Sequence, residues 1–118
     1  MSIVRLQVEL NIHEGKFAAF EALAQQMSAV SQQEPGTLAY EFCLSGDRTR
    51  CRLIEAYTDA NAVEAHFAGP AVREFVPRLM EHCSVSRFEV YGDPGPQVTA
   101  MVASFGAEIF GLWHGFSR

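Results

Sequence analysis

The sequence contains few of the features that mark membrane, secreted or nucleic-acid-binding proteins. It has no apolar run near the length of a membrane span, and its N-terminal residues do not resemble a signal peptide. Its three cysteines are an odd number without a metal-binding spacing such as C-x-x-C, which predicts reduced thiols in a cytoplasmic protein. The chain has only 9 Lys and Arg residues but 14 Asp and Glu residues. The resulting net charge of −5 argues against a nucleic-acid-binding surface.

The apolar content is high for so short a chain. Of the 118 residues, 48% are hydrophobic, which is enough for the core of one domain. A chain of this length nevertheless buries a limited share of its surface when it folds alone. Self-association would supply the missing burial, so we expect a homodimer.

The first strand is predicted over residues 3–12, where apolar and polar residues alternate with a period of two. Its apolar face is formed by Val4, Leu6, Val8, Leu10 and Ile12. Gln7 and Asn11 lie on the polar face. Because central strands often have both faces covered, these two residues are candidates to face a cavity.

The remaining periodicities complete a βαββαβ order. They predict a helix over 16–32, strands over 37–44 and 51–57, a helix over 60–82 and a strand over 84–91. Gly69-Pro70 and Pro77 should divide or bend the second helix. Right-handed crossovers then give an α+β, ferredoxin-like fold, with a four-stranded antiparallel sheet and both helices on one face. The other face is left uncovered, and two such sheets packed back to back would cover it.

A stiff linker, Asp93-Pro94-Gly95-Pro96, divides the chain into two parts. We expect residues 1–92 to form the ferredoxin-like domain. Residues 93–118 form an apolar extension, a helical tail in which the face of a small helix is made by Val98, Met101, Val102 and Phe105. A free disordered end would not be so apolar and so poor in charge. We expect the extension to pack on the domain or on the dimer partner.

Three ionisable residues stand out because their neighbours are apolar. Glu41 and Glu55 interrupt strand sequences, and each either lies on a solvated or interfacial face or lies over the core, where burial would raise its pKa. His66 follows Asp59, a good helix N-cap, and lies beside Phe67. It is either a general base or a half-buried, inert histidine. No constellation indicates a metal site, a phosphate loop or a serine triad.

Two segments, EPGTLAYEF and IEAYTDANAVEAHF, together with the element order, resemble the antibiotic biosynthesis monooxygenase family of dimeric α+β barrels. The resemblance covers roughly residues 3–91. The matching positions are Glu34, Pro35, Gly36, Tyr40, Glu55, Tyr57, Asp59 and His66. Haem-degrading members resemble an Asn–Trp–His pattern, but the only tryptophan here is Trp113 in the extension, so haem is a poor candidate.

The resemblance implies oxygenation of a small apolar or aromatic ligand, such as a hydroquinone or anthrone, without a cofactor or metal. Such a reaction needs a base, hydrogen-bond donors for the developing oxyanion and an apolar pocket. In this chain the candidates are His66 as base, Asn11, Tyr57 and Gln7 as hydrogen-bonding groups, and Phe42, Phe67 and Phe75 as walls. Two other functions stay open: a non-catalytic ligand-binding or oligomeric module, and an isomerase of a small carbonyl compound.

Overall fold

The chain folds as an α+β domain around one mixed β-sheet, and the computed structural model describes residues 2–118. The strands are β1 Val4–Ile12, β2 Thr37–Leu44, β3 Arg50–Tyr57, β4 Cys83–Tyr91 and β5 Glu108–Phe110. Their spatial order is β2-β3-β1-β4-β5, with the first four antiparallel and β5 parallel to β4. The predicted ferredoxin-like βαββαβ arrangement is confirmed, and a short fifth strand is added at one edge.

The helical segments divide where the sequence contains glycine and proline. They are α1 Phe17–Gln32, α2 Ala60–Ala68, a π-helical turn Ala71–Phe75, α3 Val76–Leu79 and α4 Pro96–Ala103. Asp59 caps α2, because its Oδ1 accepts a hydrogen bond from the Ala62 N–H at 2.9 Å. Pro77 lies in the first turn of α3, where its missing N–H costs little. It therefore begins a helix rather than bending one.

The core lies between the helices and one face of the sheet. Alternate residues of β1 and β3 point to this face, as the period of a strand requires. The largest fully buried side chains are Tyr57, Leu6, Leu10, Met27, Leu79, His66, Val4, Val63, Val90, Val98, Val102 and Cys51. Cys43 is exposed whereas Cys51 is buried, so the two thiols flanking the hairpin point to opposite faces of the sheet.

The apolar extension has two parts with different environments. Helix α4 buries Val98 and Val102 completely against the domain. Beyond β5 the large apolar side chains are exposed, and Trp113 has 87% of its surface accessible to solvent. The fifth strand was not predicted because three residues, Glu108–Phe110, are too few to show a period. No helix among residues 2–118 is both long and apolar enough to cross a membrane.

Candidate active site

A cavity of about 70 Å³ lies between the helices and the sheet. Its walls come from β1, β2, β3, β4, α1, α2, the π-helical turn, α3 with the residue that follows it, and one residue beyond α4. They are formed by Val8, Leu10, Met27, Tyr40, Leu53, Glu55, His66, Phe67, Val72, Val76, Leu79, Met80, Val85, Phe88 and Phe105. Thirteen of these fifteen side chains are hydrophobic or aromatic, and the two others are Glu55 and His66. A small apolar ligand with a few convergent polar groups is what such a cavity accommodates.

His66 lies at the inner side of α2 and is 2% exposed. Its Nδ1 atom lies 2.7 Å from Oε1 of Glu34, and its Nε2 atom lies 3.7 Å from Oε1 of Glu55. The shorter contact is a hydrogen bond in which Nδ1–H donates to the Glu34 carboxylate. Nε2 is then the nitrogen with a free lone pair, so His66 is arranged as a base.

Glu34 reaches His66 because the turn after α1 packs closely on α2. The Gly36 carbonyl accepts a hydrogen bond from the Thr58 N–H at 2.9 Å. The Thr37 hydroxyl donates to Glu34 Oε1 at 2.7 Å and fixes the carboxylate. A Cβ atom on Gly36 would lie 2.5 Å from Cβ of Ala62, so only glycine permits this approach.

Glu55 is a buried carboxyl group in the middle of β3, with 4% of its surface exposed. Burial raises its pKa, while the facing His66 and the hydrogen bond donated by the Tyr57 hydroxyl act in the opposite direction. Burial outweighs both, so Glu55 holds its proton to a higher pH than an exposed glutamate does, because its pKa is raised. In its protonated form Glu55 can donate that proton beside Nε2 of His66.

Aromatic rings hold the imidazole in place. The ring centroids of Tyr40 and Tyr57 each lie 5.3 Å from that of His66, and the ring of Phe67 lies 5.9 Å away. Burial and the nearby Glu55 raise the pKa of Tyr57, which therefore stays a hydrogen-bond donor. With its ring packed on several sides and its Nδ1 bonded, His66 has one fixed orientation.

The structure brings together only part of the predicted set of site residues. His66 and Phe67 line the cavity, and Tyr57 contacts the site through Glu55. Phe42 and Phe75 pack in the adjacent core without lining the cavity. Phe42 contacts the rings of Phe20 and Tyr40 at its edge.

Gln7 and Asn11 do not face this cavity. They alternate along β1 with Leu6, Val8 and Leu10, whose side chains point to the helices. The period of two therefore places both polar residues on the open face of the sheet. Neither residue can contact a ligand beside His66 in this conformation, which leaves Glu55 and Tyr57 as the hydrogen-bonding groups near the base.

Two residues of this candidate site, Glu55 and Glu34, were not among the site residues predicted from the sequence. Glu55 lies in phase with Cys51, Leu53 and Tyr57, so the period of β3 was a signal that it points to the core. Glu34 precedes the Pro-Gly turn and was noted only as part of a motif. Its contact with His66 spans 32 positions and depends on how the turn packs on α2, which local patterns do not reveal.

The arrangement can perform acid–base chemistry in an apolar space. One wall carries an oriented imidazole and a buried carboxyl group, and the Tyr57 hydroxyl donates to that carboxyl group from behind the wall. Among residues 2–118, no group of three or more His, Cys, Asp or Glu side chains is placed to bind a metal ion. The chemistry that these side chains supply by themselves is proton transfer and hydrogen bonding.

Comparison with known proteins gives a family and several similar structures. A model of the antibiotic biosynthesis monooxygenase family matches residues 3–78. No protein of curated function matches the sequence. MupZ from Pseudomonas fluorescens is similar over 100% of this chain and 96% of its own, with 25% identity and a TM-score of 0.83.

Two further structures share the fold at lower identity. SnoaB, a cofactor-independent oxygenase from Streptomyces nogalater, has 18% identity and a TM-score of 0.69, over 81% of this chain and 97% of its own. Rv0793 from Mycobacterium tuberculosis has 20% identity and a TM-score of 0.69, over 80% of this chain and 98% of its own. The match to MupZ includes the C-terminal extension, whereas these two matches cover less of the chain.

Proposed function

Because the chain belongs to the antibiotic biosynthesis monooxygenase family, we propose that it is a cofactor-independent monooxygenase of a small aromatic substrate, of the hydroquinone or anthrone type. The observation that carries the proposal is that His66, a buried residue in the wall of an apolar cavity, is hydrogen-bonded through Nδ1 to the half-buried Glu34. The similarity to SnoaB, a cofactor-independent oxygenase, supports the same class of reaction.

In this proposal His66 removes the proton that starts the reaction. Its Nε2 atom takes a proton from an activated methylene or phenol of the substrate, and the Glu34 carboxylate stabilises the imidazolium that forms. Glu55 lines the cavity, where its proton can form a hydrogen bond to the negative oxygen that develops on the substrate. The Tyr57 hydroxyl, which donates to Glu55, holds this carboxyl group in place. The apolar walls strengthen these interactions because they exclude water.

Oxygen then reacts with the electron-rich anion. The anion transfers one electron to O₂, and the resulting substrate radical and superoxide combine to form a C–O bond. The peroxide takes a proton from the imidazolium and loses water, which leaves a carbonyl group. For an activated methylene the balance is CH₂ + O₂ → C=O + H₂O, and the protein ends in the protonation state in which it began.

One observation favours an isomerase of a small carbonyl compound as the second candidate. The acid Glu55 and the base His66 lie 3.7 Å apart, so one can protonate a carbonyl oxygen while the other removes a proton from the neighbouring carbon. The first proton transfer is the same in both candidates. They differ in whether O₂ is consumed.

Oxygen uptake distinguishes the candidates. The metal-stripped protein is tested against a panel of hydroquinones and anthrones, and uptake above the spontaneous rate supports the monooxygenase. If hydrogen on a substrate carbon exchanges for deuterium from heavy water under nitrogen, and no oxygen is taken up in air, the isomerase is favoured. If the protein shows no oxygen uptake and no deuterium exchange, the result indicates a ligand-binding module.

We propose in addition that two copies associate through the open face of the sheet. This face carries Ile54, 36% exposed, and both signs of charge, with Arg52 Nε 2.9 Å from Glu9 Oε2. A two-fold interface brings the same surface of both copies together. A surface that carries both signs of charge around an apolar centre can therefore pair its positive groups with the negative groups of the second copy. The exposed segment 111–118 lies beside this face, since Arg5 donates a hydrogen bond to the Ser117 hydroxyl at 3.4 Å, and would contribute further apolar surface.

A cytoplasmic location fits the state of the thiols. Cys43, Cys51 and Cys83 are all free. Burial raises the pKa of Cys51 and of Cys83 to about 11, so both thiols stay protonated and unreactive at neutral pH. Separation of the cell compartments followed by immunodetection tests the location directly.

A further inference from the structure

The cavity beside His66 is too small in this conformation for the proposed substrates. Its volume is about 70 Å³, whereas an apolar cavity known to hold one benzene ring has about 150 Å³. A hydroquinone or an anthrone therefore enters only if part of the wall moves. The wall residue that moves at least cost then determines which substrates enter.

Phe105 is the wall residue that can move most easily. Of the fifteen side chains that line the cavity, it alone is exposed, with 43% of its surface accessible to solvent. The other fourteen are buried or half-buried; thirteen belong to strands, to helices or to the π-helical turn, and Met80 directly follows α3. The ring of Phe105 therefore separates the cavity from solvent.

The backbone at Phe105 is fixed, so the movement is one of its side chain. Its N–H donates to the Val102 carbonyl at 3.0 Å, and Gly106, at φ +73°, turns the chain after α4. Val98 and Val102 are fully buried and anchor α4 to the domain. Exposed side chains change rotamer in picoseconds to nanoseconds, so opening requires no rearrangement of the fold.

Phe88 on β4 offers a surface to the ligand once Phe105 has moved. The two rings are stacked, with centroids 6.0 Å apart and planes inclined by 26°. When the ring of Phe105 rotates into solvent, one face of Phe88 is left without a partner. A planar aromatic ligand that enters there restores the stacking and occupies the cavity that His66 also lines.

We propose that Phe105 is a specificity-determining residue that sets the size of the aromatic substrate, with Phe88 as its stacking platform. The inference rests on the proposed function for the class of substrate and on the geometry for the position of the entrance. Phe105 lies outside residues 3–78, the segment that the family model matches. The selectivity of the site is thus assigned to the C-terminal extension and not to the segment shared with the family.

The test is the binding of aromatic alcohols of increasing size in the absence of oxygen. Titration calorimetry under nitrogen gives dissociation constants for phenol, 2-naphthol and 9-phenanthrol. Phe105→Ala should bind 9-phenanthrol at least about 10-fold more tightly than the wild type and leave phenol nearly unchanged. Phe105→Trp should weaken binding of the two fused-ring probes.

Phe110→Ala is the matched control. Phe110 is 40% exposed and its ring stacks on Tyr91 of β4 with centroids 5.5 Å apart, but it does not line the cavity. This variant should bind all three probes as the wild type does.

Three results would overturn the proposal: equal affinities in Phe105→Ala and Phe110→Ala, a change in Phe105→Ala that is the same for all probe sizes, or no binding of any probe to any variant. If the affinities follow the predicted order but the wild type takes up no oxygen with the hydroquinones and anthrones, the role of Phe105 is supported and the monooxygenase function is refuted.

Discussion

Nδ1 of His66 lies 2.7 Å from Oε1 of Glu34, although 32 positions separate the two residues. Glu34 precedes the Pro-Gly turn after α1, and His66 lies on the inner face of α2. The hydrogen bond fixes which imidazole nitrogen carries the proton and leaves Nε2 free to act as a base. The two segments that resemble the family in sequence are therefore joined at the site.

Replacing Glu34 by Gln should lower the turnover number. The amide keeps the size of the side chain but cannot stabilise the imidazolium, so we expect turnover to fall by roughly 10- to 100-fold with little change in KM. Steady-state oxygen uptake measures both constants. Glu21→Gln is the control, because Glu21 is an exposed carboxylate of α1, away from the open face of the sheet. Equal turnover in the two variants would show that Glu34 does not support the base.

Gly36→Ala should destabilise the protein. The added Cβ would meet Cβ of Ala62 at 2.5 Å and Oγ1 of Thr58 at 3.2 Å, which forces the turn away from α2. We expect a loss of about 1–3 kcal/mol in the free energy of unfolding, measured with urea. Gly46→Ala is the matched control, because a Cβ there meets nothing within 4 Å. A loss of the same size in both variants would contradict the close approach of turn and helix.

The raised pKa of Glu55 predicts how stability depends on pH. In the folded protein this acid keeps its proton above its ordinary pKa of 4.5, where the unfolded chain releases it. Over that window the unfolded state binds fewer protons, so the free energy of unfolding decreases as pH rises. Glu55→Gln cannot titrate and removes this contribution.

As the pH increases from about 4.5, the free energy of unfolding of the wild type should therefore decrease relative to that of Glu55→Gln. Urea unfolding at a series of pH values measures it. A difference that stays constant across the series would mean that burial does not raise the pKa of Glu55.

The open face of the sheet predicts the effect of a charge at Ile54. If two copies associate through this face, Ile54→Glu buries a charge without a partner and should raise the dimer dissociation constant at least about 10-fold. Sedimentation equilibrium measures this constant. Leu44→Glu is the control, because Leu44 is 43% exposed but pairs with the buried Cys51, on the helix-facing side. A dimer unaffected by Ile54→Glu would place the interface elsewhere.

Periodic segments were predictable from the sequence, and contacts between distant segments were not. The alternation in β1 and the Pro-Gly turn after α1 defined the fold, because each is a local property of the chain. The same alternation also placed Gln7 and Asn11 opposite the core, but the sequence did not show that the cavity lies on the core side. The roles of Glu34 and Phe105 depend on packing between segments far apart in the chain.

The most direct test of the account is oxygen uptake by His66→Ala with the hydroquinones and anthrones that the wild type oxidises. His13→Ala, in an exposed turn, is the control. Because His66 is the proposed base, we expect uptake by its variant to fall by roughly 10²–10⁴-fold, towards the spontaneous rate, while the control keeps the wild-type rate. Uptake by His66→Ala equal to that of the control would contradict the assignment of His66 as the base.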